Sequence, residues 1–425
     1  MINEISLKKI AASTFSSEFV KPLYNSYCFS RIPATVEHLL TGKKLSTLPK
    51  DCFTTVEGGY DIVILFFIDA FGWRFFEKYA DRYPFLSRFL KEGLVSKITS
   101  QFPSTTAAHV TTMNSSQEVG QTGIYEWFYY EPIADRIIAP LLFSIAGEKT
   151  LGNLEKIGVT PHQVFPKNTF YLKLKKQKID TYVVYPENIV NSHYSKVMTL
   201  GSHSISYYKF SEGLKTLSEG VTNYKGGKSY FAVYFPDIDS AGHRQGLDSS
   251  GFDEAVEKCM ADLEVFFQNT VFSGGKKTAI LFTADHGMVG VNPKTTHYIN
   301  KEIPKISSML KVGARGNLLT PAGSCRDMFL HVKPELIPDV LSLLQNHLKG
   351  IAECYLTKDL IQQGFFGCKP VSQRFLDRIA DVVVLPYAHQ SVWWYERGKF
   401  EQNFYAAHGG LTPQEMESLF LFLSL

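Results

Sequence analysis

Three continuous apolar runs, "DIVILFFID" (61–69), "SYFAVYF" (229–235) and "TAILFTA" (278–284), each lead straight into carboxylates or histidines. A fourth run, "ADVVVLP" (380–386), has the same unbroken character. Continuous rather than alternating runs belong to strands buried on both faces, the pattern of a parallel sheet covered by helices. Helical stretches lie between the runs. "SGFDEAVEKCMADLEVFFQN" (250–269) repeats Phe252, Val256, Met260, Leu263 and Phe267 at three- and four-residue steps, and "KPELIPDVLSLLQNHLKG" (333–350) is a second such stretch. Strand followed by helix, repeated, predicts an α/β chain: a doubly wound, mostly parallel sheet with helices on both faces.

The rest of the chain narrows the class. With 425 residues, 44% of them hydrophobic, it can bury a large core. A net charge of +3, from 44 basic and 41 acidic residues, gives no electrostatic case for binding a nucleic-acid polymer. Six cysteines without a CxxC pair fit a reducing compartment. The N-terminal "MINEISLKKIAASTFSSEF" lacks a long apolar signal region, and the longest apolar run, "IVILFFIDAFGW", is interrupted by Asp69 and falls short of the about 18 residues that a span needs. These features predict a soluble, cytoplasmic protein with no membrane span. The apolar C-terminal "SLFLFLSL" is expected to pack as a terminal segment. Residues 1–55 read as an N-terminal extension and 56–425 as the main domain, with 131–225 and 295–375 as insertions or cap elements over the core.

Chemistry in open α/β sheets collects at the carboxyl ends of the strands. The first run ends in Asp69; the second leads into Asp237, Asp239 and His243; the third leads into Asp285 and His286; and "NFYAA" leads into His408 within "HGG". A single strand-terminal Asp is commonly a cap or turn residue. The same residue types at the end of every core strand are a different matter. Asp and His without thiolates suit zinc, with manganese as second choice. Asp69, Asp239, His243, Asp285, His286 and His408 are too many for one tetrahedral ion. They suit two ions, each with three ligands and an open position; two ions roughly 4 Å apart clamp the attacking and leaving oxygens of phosphoryl transfer. A cation between them also explains why carboxylates cluster. A nucleophile is then expected in "SQFPSTTAAHVTTMNSS" (100–116), where Ser104, Thr105 and Thr106 precede a helical stretch. A hydroxyl there sits in the positive end of the helix dipole. The residue pattern alone leaves open which hydroxyl caps the helix and which attacks.

The ordered set of motifs resembles the alkaline phosphatase superfamily, specifically its type I phosphodiesterase/nucleotide pyrophosphatase branch, over roughly 60–130, 228–290 and 404–415. "ILFFIDAFGWR" resembles the first metal motif, with Asp69 as ligand. "FPSTTAAHVTTM" resembles the nucleophile motif, which makes Thr106 the attacking residue. "DSAGH" matches an Asp-x-x-x-His motif, so Asp239 and His243 carry over; "ADHGM" supplies Asp285 and His286, and "AHGG" supplies His408. The resemblance implies one metal on Asp239, His243 and His408, and a second on Asp69, Asp285, His286 and the Thr106 oxygen. The chain departs from the nucleotide-cleaving members at two positions. Trp127 stands where their phosphate-holding asparagine falls, and Ala107 stands where an aromatic stacks on the base. Tyr234 matches their second base-stacking position. The Cys/Ser-x-Pro-x-Arg nucleophile motif of sulfatases is absent.

The resulting expectation is a two-zinc phosphoesterase that hydrolyses a phosphodiester or pyrophosphate bond through a phosphothreonine intermediate, with a small-molecule phosphoester, nucleotides included, as substrate. The alternatives are a phosphomonoesterase or phosphomutase of the same superfamily, and an inactive, metal-stabilised scaffold that binds a partner through its cap. Trp127 and Tyr234 are expected to contact substrate. His109, one turn beyond Thr106, is expected either to do so or to pack locally. The aromatic clusters "WFYYEP" (127–132) and "VWWY" (392–395) could line a pocket, but aromatics more often belong to the core, Trp127 being the exception, and His297 reads as structural.

Overall fold

In the computed structural model, which describes residues 1–272, 275–368 and 370–425, seven strands form one sheet. In chain order these are β1 (Ile62–Ile68), β2 (Leu94–Thr99), β3 (Ile179–Pro186), β4 (His203–Tyr207), β5 (Lys228–Phe235), β6 (Thr278–Thr283) and β7 (Glu417–Ser424). The spatial order is β2-β7-β6-β1-β5-β3-β4. Pairing is parallel throughout except at β7, which runs antiparallel to both of its neighbours. The C-terminal apolar segment therefore packs as the sheet's one reversed strand. Its reversal brings its N-terminal end, and the loop that carries His408, to the carboxyl ends of the parallel strands.

β1 shows why the apolar runs are unbroken. All seven of its residues are buried. Ile62, Ile64, Phe66 and Ile68 belong to the core on one face, and Val63, Leu65 and Phe67 to the core on the other. Strand geometry sends alternate side chains to opposite faces, so a strand covered on both sides must be apolar at every position. The first face is covered by helices 73–79, 84–92 and 210–222, and by α3 (Ser250–Asn269). The second is covered by helices 32–41 and 170–175 together with Tyr27 and Phe29. Residues 1–55, expected as an extension, thus supply part of a covering layer; Ile2 and Cys28 also bridge to Val95 and Thr99 of β2. Likewise β3 and β4, from within 131–225, are sheet strands rather than cap.

The run at 380–386 departs from expectation. It does not join the main sheet. Val382–Pro386 is the central strand of a separate three-stranded antiparallel sheet with 328–330 and 352–356. Val383 and Leu385 enter one core and Val382 and Val384 another. Burial on both faces produced the continuous apolar pattern, and that pattern does not say which sheet a strand joins. The second predicted helix is shorter than its stretch, at Ile337–His347. Among the described residues no helix is long and apolar enough to cross a membrane.

A buried ion pair ties this second region to the loop before β7. Arg326 donates to both oxygens of Glu415, at 2.9 Å each, and neither residue is exposed. Glu415 also accepts from Gly410 N–H and the Thr412 hydroxyl. Removing one partner of such a pair strands a charge in a dry interior, which costs about 3–5 kcal/mol. Glu415→Ala is predicted to lower unfolding stability by about that amount in chemical denaturation; a loss under about 1 kcal/mol would show that the loop is held by other contacts.

Candidate active site

Four elements deliver side chains to one end of the sheet. Asp69 follows β1, Asp239 and His243 lie one turn apart on α2 (Asp237–Gln245) after β5, and Asp285 and His286 follow β6. Thr106 is the first residue of α1 (Thr106–Ser115), after β2. His408 comes from the loop before β7. That loop is fastened to the nucleophile segment: Ser104 N–H donates to Gly409 C=O at 3.2 Å, and its hydroxyl donates to Gly410 C=O at 2.7 Å. Gly409 has φ +127°, and a Cβ there would lie 2.8 Å from Asp327 Oδ1. Only glycine fits this turn.

The side chains form two clusters, Asp239 with His243 and His408, and Asp69 with Asp285 and His286, the ligand atoms of each lying within 4.8 Å of one another. The His286 and His408 rings stack with centroids 3.7 Å apart, which joins the clusters. All three histidines are oriented alike. Nδ1 of His243 donates to Ala406 C=O (2.7 Å), that of His286 to Gly287 C=O (2.9 Å), and that of His408 to Ser104 C=O (3.0 Å). A neutral imidazole with its proton on Nδ1 has a bare lone pair on Nε2. Those lone pairs face carboxylates: His243 Nε2 is 3.3 Å and His408 Nε2 3.5 Å from Asp239 Oδ1, and His286 Nε2 is 3.3 Å from Asp285 Oδ2.

The carboxylates are held just as firmly. Asp285 Oδ1 accepts from Ala70 N–H (3.1 Å) and His286 N–H (3.0 Å). Ala70 adopts φ +61°, a left-handed conformation uncommon for a residue with a Cβ; the strain accompanies an amide aimed at Asp285. Asp69 Oδ2 accepts from the Tyr234 hydroxyl. Asp239 Oδ1 and Asp285 Oδ2 are buried with no hydrogen-bond donor. Burial pushes the Asp69 carboxyl well above the usual range, helped by Asp285 and Asp239, and pushes Asp285 up to about 7. Burial also holds His286 and His408 well below the ordinary histidine value, whereas His243 is raised, against the effect of burial, by the Asp239 carboxylate; a cation at Asp239 would remove that pull. Neutral histidines, undonated carboxylate oxygens and fixed second partners make a donor set suited to divalent cations. The six residues expected as ligands are thus brought together.

Thr106 stands at the same place. Its hydroxyl lies 3.3 Å from His286 Nε2 and 3.5 Å from Asp69 Oδ1, at the N-terminus of α1. Thr105 is the N-cap but its side chain caps nothing. Beside Thr106 opens a cavity of about 350 Å³, walled by Trp127, Phe128, Trp393, Phe400 and Phe404 and reaching Asp239, His243 and His408. Trp127 is on this wall. Phe128 and Trp393, from clusters whose composition favoured the core, also line it, and Phe400, Phe404 and Glu126 carried no signal in the sequence.

Two expected substrate contacts lie elsewhere. His109 is fully buried with both nitrogens engaged: Nδ1 donates to Thr105 C=O (2.7 Å) and Nε2 accepts from Gln101 N–H (2.9 Å). Burial lowers its pKa to about 3. It braces the turn into α1, one residue short of Thr106. Tyr234 packs against Phe67 and Tyr185 and spends its hydroxyl on Asp69, so no face is left for a base. His297 pairs with Glu302 at 3.2 Å, away from the clusters.

A model of the family described as type I phosphodiesterase / nucleotide pyrophosphatase matches residues 63–411. No curated protein matches the chain by sequence. Solved structures share the fold. An inactive form of murine ectonucleotide pyrophosphatase / phosphodiesterase 5, in complex with AMP, superposes with a TM-score of 0.63 at 14% identity, covering 85% of this chain and 87% of that one. The human counterpart gives 0.62 at 16% identity with the same coverages. Phosphonoacetate hydrolase from Sinorhizobium meliloti, in complex with phosphonoacetate, gives 0.59 at 14% identity, covering 87% of this chain and 92% of that one.

The Tyr234–Asp69 contact has a measurable consequence. Tyr234→Phe keeps the ring and removes the donor that orients Asp69. Loss of such an outer partner typically costs 10–100-fold in metal affinity. Chelator competition is predicted to show a loss in that range with the circular-dichroism spectrum unchanged; unchanged affinity would mean that Asp69 is oriented without the tyrosine.

Proposed function

Because this chain belongs to the type I phosphodiesterase/nucleotide pyrophosphatase family, a family of metal-dependent hydrolases acting on phosphoester bonds, we propose that it hydrolyses phosphodiester or pyrophosphate bonds with Thr106 as nucleophile and two divalent ions, zinc first, as cofactors. The observation that carries this reading is the common orientation of His243, His286 and His408, whose Nε2 atoms face undonated carboxylate oxygens in two joined clusters, one of them against the Thr106 hydroxyl. Asp239, His243 and His408 would hold one ion, and Asp69, Asp285, His286 and the Thr106 oxygen the other. Ions bound there would neutralise the carboxylates, acidify the Thr106 hydroxyl and stabilise charge on the attacking and departing oxygens.

The chain's own residues do the rest. Thr106 attacks phosphorus in line as its hydroxyl proton leaves to solvent; its Oγ–P bond forms as the bond to the leaving-group oxygen breaks, giving a phosphothreonine that, for a diester, still carries the remaining organic group. Water then cleaves that ester and restores the hydroxyl. The N-terminus of α1 presents the positive end of its dipole to the incoming anion. The aromatic wall bears on the choice of substrate. A doubly charged monoester needs compensating charge when buried, and Trp127, Phe128, Trp393 and Phe404 supply none. Lys399, the only basic side chain on the wall among the described residues, pairs with Glu396 at 2.6 Å. A singly charged diester carrying an organic group suits such a cavity better. With Ala107 fully buried and Tyr234 turned to Asp69, base selectivity is expected to be modest.

Two measurements test this reading. Thr106→Ala should remove turnover by on the order of a thousandfold or more with metal content and fold intact, while Thr105→Ala should cost far less; an active Thr106→Ala beside a dead Thr105→Ala would assign the attack to the other hydroxyl. For the zinc-loaded enzyme, kcat/KM for bis-p-nitrophenyl phosphate should exceed that for p-nitrophenyl phosphate. A tenfold preference for the monoester, about 1.4 kcal/mol of transition-state binding, would favour a phosphomonoesterase.

A further inference from the structure

One carboxyl group on the cavity wall has no part in the chemistry above. Glu126 is fully buried, yet it lines the space shared by Thr106, Asp239, His243 and His408. Its Oε2 accepts from Trp127 N–H; its Oε1 has no hydrogen-bond partner among the described residues. The Thr105 hydroxyl is the side-chain hydrogen-bonding group nearest this carboxyl and takes no other partner. Asp327, also fully buried, lies within the electrostatic reach of Glu126. Asp327 Oδ1 accepts from Ser324 N–H (3.0 Å) and the Ser324 hydroxyl (2.6 Å), while Oδ2 accepts from nothing. Among the described residues no cation forms an ion pair with either carboxyl. Arg326 is committed to Glu415 and Lys399 to Glu396.

Burial without a paired cation raises the cost of charging both carboxyls, and an ionised Glu126 raises that of Asp327 further. The substrate sharpens the conflict, since its phosphoryl group brings negative charge into the same cavity. An ionised Glu126 would repel it, and a neutral one has a hydrogen bond to give. We propose that Glu126 acts as a carboxylic acid, donating a hydrogen bond from its free oxygen to a non-bridging oxygen of the phosphoryl group while Thr106 attacks. The inference rests on the phosphodiesterase reading. The proton stays on Glu126 throughout and no bond to it is broken. The donor acts on an oxygen whose surroundings must accommodate charge in the transition state, and it is fixed in place before substrate arrives.

Burial pushes the Glu126 carboxyl up to about 8, and burial followed by Glu126 itself pushes Asp327 well above the carboxylate range. The other titratable groups around Glu126 are Asp239, His243 and His408, which share its cavity, Cys325 from the Asp327 turn, Tyr125 on its own segment, and Glu401 with Lys399 on the cavity wall; Glu415, paired with Arg326, acts on Asp327. The donor is present below the Glu126 pKa and lost above it, so it contributes an alkaline limb to the rate profile.

The test is kcat/KM against pH for zinc-loaded protein on bis-p-nitrophenyl phosphate, in wild type, Glu126→Gln and Glu126→Leu. Glutamine keeps a neutral donor of similar shape, and leucine fills the volume with none. Glu126→Gln should stay within about threefold of wild type at neutral pH and retain activity further into the alkaline range, while Glu126→Leu should fall about 10²–10³-fold in kcat, the usual cost of one such donor, with metal content unchanged. Circular dichroism checks the fold of both variants; if the leucine variant is unfolded, Glu126→Gln decides alone through its alkaline limb. A glutamine variant as inactive as the leucine one would mean that the ionised group is needed. A leucine variant as active as wild type, or a glutamine variant with an unshifted limb, would mean that Glu126 does not touch the phosphoryl group. Any of these results overturns the inference with the phosphodiesterase reading intact; a zinc-loaded wild type without hydrolysis of diester or monoester would overturn the reading itself.

Discussion

Three histidines that each give their Nδ1 proton to a backbone carbonyl set the terms for the whole active end of this molecule. With those protons committed, every Nε2 of a neutral ring presents a lone pair, and the nearest groups are carboxylates. Lone pairs facing lone pairs at 3.3–3.5 Å in a buried site are unfavourable unless a cation lies among them. The site is thus preorganised for an ion at the cost of local stability. The left-handed Ala70 and the orphaned oxygens of Asp239 and Asp285 belong to the same arrangement. Such concentrations of strain and unpaired polarity characterise sites that bind and react.

The fold supplies the precision. A parallel sheet brings the ends of β1, β5 and β6 to one edge, so residues distant in sequence meet without long loops. β2 reaches the same edge and hands over to α1, whose first residue is Thr106. β7 enters from that edge in reverse, and its preceding loop is pinned twice: to Ser104 through Gly409 and Gly410, and to Arg326 through Glu415. His408 therefore sits on a loop with the rigidity of the sheet. The aromatic wall is assembled from two places, Trp127 and Phe128 beyond the nucleophile helix and Trp393 with the 400–404 segment.

The candidate ligands Asp69, Asp239, His243, Asp285 and His286 were legible because they follow continuous apolar runs, and a strand buried on both faces announces itself without any partner; Thr106 and His408 follow no such run and were picked out by the resemblance of their motifs. Strands β3 and β4 were missed because they are less uniform: Asp180 is exposed within β3, and most of β4 lies at the sheet's open edge. The run at 382–386 was assigned to the wrong sheet because burial on two faces looks the same in any sheet. Residues 1–55 looked like an extension because their apolar residues are spread among short elements, although together they cover half a face. His109 and Tyr234 were expected at the substrate because sequence distance from Thr106 and Asp239 does not tell which way a side chain points. Glu126 gave no sign at all. A glutamate beside a tryptophan reads as ordinary surface until the fold buries it against Asp327.

The central claim is that the two carboxylate–histidine clusters exist to hold cations on either side of the Thr106 hydroxyl. Anomalous diffraction at the zinc edge, from crystals of protein loaded with zinc, tests it most directly. The account predicts two peaks per chain, one bounded by Asp239, His243 and His408 and the other by Asp69, Asp285 and His286, each about 2 Å from its ligand atoms. A well-ordered, zinc-saturated crystal with no peak in either cluster, or with zinc bound only elsewhere, would contradict it.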